Sequence, residues 1–151
     1  MMSQMHRATY LFAGALTAAL VGGAGFSVFE RQERAGLAEA AKGACNADSR
    51  PTTGARLPFN LPLSEGLSVL RVDEQGATVV AFASIPGGRA DLVDRRDRVL
   101  ADLKAAGYRV IETDQEVGYE AEAQLAGPHH GTVRVKPLCT GLLEVRYAFE
   151  R

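Results

Sequence analysis

By residue type, two cysteines and two adjacent histidines are the side chains of this sequence best suited to chemistry. Cys45 and Cys139 are its only cysteines. They lie far apart and form no Cys-x-x-Cys pair, so zinc and thioredoxin chemistry find no pattern to use. An even count points instead to a single disulfide, and a disulfide needs an oxidising compartment. Closing so long a loop is worth roughly 4 kcal/mol in the chain-entropy account. His129 and His130 sit in "GPHHGT", which reads as the tip of a loop between strands. They are the metal-ligand candidates of the chain, yet neighbouring histidines diverge unless a loop bends them together, and no third ligand lies nearby. A polar turn accounts for them.

The remaining polar clusters resolve in the same way. "SIPGGRAD" places two glycines and Arg89 ahead of a helix, an arrangement that superficially suits an anion. Asp91 and Asp94 would repel phosphate there, and the spacing fits neither phosphate-loop pattern. Ser64 and Ser84 have no identifiable His-acid partnership, and Cys139, followed by Thr-Gly, reads as turn and disulfide rather than nucleophile. The acid-rich "ETDQEVGYEAE" lacks the spaced oxygen ligands of a calcium loop. No catalytic residue and no cofactor is therefore expected, and a non-catalytic role is favoured over an enzyme.

What positions these residues begins with export. Ala8 to Phe29 is a run of 22 uncharged residues, which at about 1.5 Å per helical residue reaches across a hydrocarbon core of roughly 30 Å. Arg7 precedes it, and Gly22-Gly23-Ala24 resembles a cleavage site, so a cleaved export signal is the alternative to a retained anchor. The apolar character continues through Phe26, Val28 and Phe29, which favours retention. Arg31 and Arg34 are interleaved with Glu30 and Glu33, so charge bias leaves the orientation undecided. The cysteines decide it, because their pairing requires the C-terminal part outside the cytoplasm. Gly14 and Ala18 fit a small-xxx-small pair through which the anchor would form a homodimer.

Four regions follow: a short cytoplasmic end (1–7), an anchor or signal (8–29), a juxtamembrane helix with a Pro-rich spacer (30–66) and an extracytoplasmic domain (67–151). After Phe29 the chain carries 16 Lys and Arg against 18 Asp and Glu, a net charge of −2. No basic block tracks along it, which argues against nucleic acid as a partner. "ERQERAGLAEAAK" is rich in helix formers, whereas 46–66 holds three prolines and several turn residues.

Within the domain the periodicities alternate. "LSVLRVDEQGATVVAFASI" reads as a hairpin with a three-residue turn Glu74-Gln75-Gly76, pairing Val72 with Thr78, Leu70 with Val80 and Ser68 with Phe82. Asp91 is expected to cap a helix over Leu92–Ala106, whose apolar stripe runs through Leu92, Arg96, Val99 and Leu103, with Gly107 as its left-handed stop. "YRVIET" is a further strand. Tyr119 to Leu125 and Thr132 to Pro137 alternate with period two, and a five-residue loop Gly127–Gly131 would pair Leu125 with Val133, Ala123 with Val135 and Glu122 with Lys136. A turn at Cys139-Thr140-Gly141 pairs Val135 with Val145, Val133 with Tyr147 and Lys136 with Glu144. The same register sets Arg134 opposite Arg146, tolerable only where solvent or an acid such as Glu120 or Glu150 separates them. The fold expected is α+β: an N-terminal transmembrane helix, then a small two-layer domain with one helix on a largely antiparallel sheet, ordered ββαββββ.

In organisation the chain resembles small bacterial envelope proteins that combine an N-terminal anchor, a spacer and a helix ending in "LKAAGYRV" before a strand. The resemblance covers that plan and one helix-strand element, and it carries over no functional residues. The anchor, the short stapled spacer and the lack of a catalytic constellation lead to the expectation of a single-pass protein of the bacterial cytoplasmic membrane whose domain serves another envelope protein; after signal cleavage the product would be periplasmic or secreted. A small-molecule or lipid-binding module is the first alternative. A hydrolase or metal enzyme with a dispersed site is the second.

Overall fold

A computed structural model describes residues 43–151. The expected anchor, its Gly14/Ala18 pair and the helix expected after it lie outside the described residues. Among the described residues no helix is long and apolar enough to cross a membrane.

Among the described residues six strands and one α-helix follow the expected ββαββββ order: β1 (Ser68–Gln75), β2 (Thr78–Pro86), α1 (Leu92–Ala105), β3 (Arg109–Glu116), β4 (Glu120–Ala126), β5 (Gly131–Cys139) and β6 (Leu142–Glu150). The strands form one sheet in the order β1-β2-β6-β5-β4-β3, and every neighbouring pair is antiparallel. The last strand therefore sits in the interior beside β2. Its two neighbours bury it, and Val145, Tyr147 and Phe149 are fully inaccessible.

The helix forms where the apolar stripe demanded it. Leu92, Arg96, Val99, Leu100 and Leu103 are its buried residues, and it packs on β3, β4 and β5. At its start the expected cap is modified. A short 3-10 turn, Arg89–Asp91, precedes the helix, and the Asp91 carboxylate reaches back to accept from the Gly88 N–H at 2.8 Å. That hydrogen bond satisfies the backbone donor an anion would otherwise have used. At its end Gly107 adopts φ +93°, and the Tyr108 N–H bonds back to the Leu103 carbonyl at 3.0 Å, closing the helix as a left-handed residue does.

The registers differ instructively. β5 and β6 pair as expected: Val133 with Tyr147, Val135 with Val145, Lys136 with Glu144 and Arg134 with Arg146. Between β4 and β5 the pairing slides by two residues, so that Ala123 faces Val133 and Leu125 faces Gly131. Glu122 consequently faces Arg134 rather than Lys136. The cause is Gly131, which belongs to the strand and not to the loop. A Cβ there would lie 2.5 Å from the Phe149 ring and 2.4 Å from the Ala148 carbonyl oxygen, so only glycine lets that ring lie across it. An even slide preserves the faces.

Between β1 and β2 the shift is three residues. Gly76 takes the left-handed conformation, φ +62°, but the turn is shorter than expected, pairing Gln75 with Thr78 and Val72 with Ala81. A bulge between Val69 and Arg71 then absorbs one residue. This leaves Val69 in the core cluster with Ala81, Ala83 and Ile85, while Arg71 pairs with Phe82 on the other face.

Part of the Pro-rich segment belongs to the fold. Leu57, Leu61 and Leu67 join the core cluster, and Phe59 packs against it. They complete the cover of a sheet face on which the helix reaches β3, β4 and β5. On the way, Thr52 lies along the β1 edge: its N–H bonds to the Val69 carbonyl at 2.9 Å and its hydroxyl to the Leu70 carbonyl. An edge strand is thereby covered by preceding chain, which removes a template for unwanted pairing.

Candidate interaction surface

The disulfide expected from the cysteine count joins Cys45 to Cys139, with Cα atoms 5.2 Å apart across 94 residues of sequence. A strap from Gly43 to Ser49 accompanies it. The Gly43 carbonyl accepts from both the N–H and the hydroxyl of Thr140, each at 3.1 Å, and Ser49 is buried. The strap, Arg71, Leu138 and Glu144 line a polar cleft of about 320 Å³.

The cleft opens on the sheet face turned away from the helix. Strand alternation fixes what that face displays, because directly opposed residues share a side. With Tyr147, Val145, Val133 and Ala81 in the core, their sequence neighbours point outward. One rank runs Ser84, Glu144, Lys136; the next runs Arg71, Phe82, Arg146, Arg134, Glu122, Asp114. The α-helix packs on the other face, and among the described residues the strap with its short 3-10 turn, Ala47–Ser49, borders these ranks at one end.

Charge on this face is partly organised. The Arg71 guanidinium stacks 3.7 Å above the Phe82 ring and bonds to Asp73 at 3.2 Å. Lys136 pairs with Glu144 at 3.4 Å, the Glu144 side chain being only 9% exposed. Arg134 pairs with Glu120 at 3.5 Å, so one of the acids expected to relieve the arginine pair does so. The Nε of Arg134 is nevertheless sealed from solvent without an acceptor. A buried polar atom left in this condition costs free energy.

The histidines stand at the other end of the sheet. His129 stacks on Phe59, ring centroids 4.0 Å apart, and its Nδ1 lies 3.0 Å from the Glu150 carbonyl oxygen. The backbone of His130 accepts from the Glu150 N–H at 2.9 Å. Those contacts fasten the β4–β5 loop to the C-terminal strand. Among the described residues no group of three or more His, Cys, Asp or Glu side chains converges as a metal site would require. Ser84 lies in a rank with Glu144 near the strap, remote along β6 from the histidines. Ser64 is buried with an unpartnered hydroxyl.

On the covered side two polar groups are buried. Arg96, 6% exposed, donates through Nη1 to the Asp114 carbonyl at 3.1 Å and pairs with Asp97 at 2.9 Å. Its place in the apolar stripe was visible in the helical spacing; its strand carbonyl partner was not. Tyr147 is fully buried with no hydrogen-bond partner for its hydroxyl. Burial, and secondarily the charge of Asp102, raises its pKa well above the ordinary tyrosine value.

No protein-family model matches this chain, and neither a curated protein nor a solved structure does.

Proposed function

We propose that this protein is a membrane-tethered, extracytoplasmic interaction domain of the bacterial envelope, held by an N-terminal anchor and binding another envelope protein through the sheet face opposite the helix. The observation that carries the reading is that face: it combines a stacked Arg71–Phe82 pair with Arg134 and Arg146 opposed in register, of which Arg146 is left for a partner surface to neutralise. The Cys45–Cys139 disulfide supports the compartment, since such bonds persist where the surroundings oxidise.

Site-specific photo-cross-linking in intact membranes tests the proposal. A probe replacing Thr132, on the open face, is expected to give one discrete protein adduct, and a probe replacing the exposed Lys104 of the helix to give none. Recovery of the full chain as a dissolved cytosolic species with both thiols reduced, or equal labelling from both positions, overturns it. The strap cleft favours a second reading, an exported module for a small polar molecule. In that case a co-purifying small molecule replaces the adduct.

A further inference from the structure

We infer that Arg146, set opposite Arg134 on the open face, forms the recognition centre for an acidic segment of the protein partner, whose carboxylate pairs with the Arg146 guanidinium. The inference rests on the reading of the open face as the binding surface and names the chemistry that surface selects.

Directly opposed side chains of an antiparallel pair stand close, and like charges there are destabilising. One rank away the same two strands solve this problem with Lys136 opposite Glu144. At the next rank they place arginine opposite arginine. Glu120 relieves only one of the two, at 3.5 Å, and leaves the Arg134 Nε sealed from water with no acceptor. Arg146 makes no hydrogen bond or ion pair with a described residue and is half-buried. An unpaired guanidinium on β6 thus stands in register with an arginine on β5 that Glu120 alone neutralises. A carboxylate matches the planar fork in two parallel hydrogen bonds, and its charge removes the repulsion.

The surroundings set the direction of such a segment. Arg71, in the same rank, is committed to Phe82 and Asp73, and Arg134 and Lys136 to Glu120 and Glu144, so the uncommitted positive charge of these ranks is that of Arg146 on β6. Glu122 and Asp114 follow on the β4 and β3 side and repel acids there. An acidic chain is therefore drawn over β6 and β5 and kept from β4. A flat anionic bilayer, by contrast, would meet Glu122 and Asp114 together with the arginines, which disfavours lipid as the occupant.

The test uses the full-length chain in a neutral detergent, with a fluorescent oligoglutamate peptide read by anisotropy and an oligoglutamine peptide as control. Oligoglutamate is expected to bind, and Arg146→Gln to weaken it on the order of tenfold. The thermal midpoint of Arg146→Gln should stay level or rise, since a like-charge pair has gone; a purely structural arginine would lower it. Undiminished peptide binding by Arg146→Gln, or preferential binding to phosphatidylglycerol vesicles over the peptide, overturns the inference. A Thr132 adduct that forms equally well in Arg146→Gln membranes also overturns it while leaving the interaction reading intact. Loss of the adduct in that variant supports both.

Discussion

The two faces of this sheet are built from the same strands on opposite principles. On the helix side, alternate residues of β2, β4, β5 and β6 meet α1 and the leucines of the Pro-rich segment, and the result is a closed apolar core. On the other side the intervening residues carry arginines, glutamates and a lysine, held down at one end by a disulfide-linked strap. The difference shows where stability resides and which face is left for the recognition proposed above. Burial of apolar area stabilises the first face without reference to any partner. The second sets Arg134 opposite Arg146 in register, a like-charge opposition that apolar burial does not explain.

The contrast can be broken or sharpened by substitution. Removing the staple with Cys45→Ser/Cys139→Ser should have the largest effect, a loss of about 4 kcal/mol read from urea unfolding, because the open chain regains the entropy of a long loop. Leu103→Ala, at a site with 0% exposure on the covered face, should cost about 3 kcal/mol in the same assay. Tyr147→Phe on that face should instead stabilise the domain, by about 1 kcal/mol, since it removes a buried hydroxyl without a partner.

Tyr147 also gives a pH signature. Its folded-state pKa is raised above the ordinary value of 10.0, so the folded protein holds that proton more tightly than the unfolded chain does. Stability from this group is complete below 10.0 and is lost as the pH rises from there through the folded value. Urea midpoints taken at pH 8 and at about pH 11 should therefore fall less in Tyr147→Phe than in the parent. The smallest stability effect belongs to the open face: Arg146→Gln should change the unfolding free energy by less than about 0.5 kcal/mol. Should Arg146→Gln prove as damaging as Leu103→Ala, the distinction between the faces fails.

Much of the covered face was legible in the sequence. The stripe through Leu92, Arg96, Val99 and Leu103 and the stop at Gly107 are local properties of a helix, and the β5–β6 register followed from a short turn between two strongly alternating strands. That register also exposed the Arg134–Arg146 opposition. The Gly131 and Leu70 regions were less legible. Gly131 reads locally as part of a turn, and only the Phe149 ring lying over it explains why it belongs to a strand. The bulge between Val69 and Arg71 reflects demands on both faces of β1 at once, which a two-residue period cannot reveal.

By itself the sequence determined the element order, the amphipathic faces and the pairing of its two cysteines, because periodicity, turn residues and cysteine count act through neighbours or through an even number. Tertiary structure alone decided that β6 lies between β2 and β5, that Leu57 and Leu61 complete the core, and that the strap frames a cleft beside Glu144. Those outcomes depend on which distant surfaces fit together. A fit of that kind is a property of packed volumes and satisfied hydrogen bonds, and no single stretch of chain encodes it.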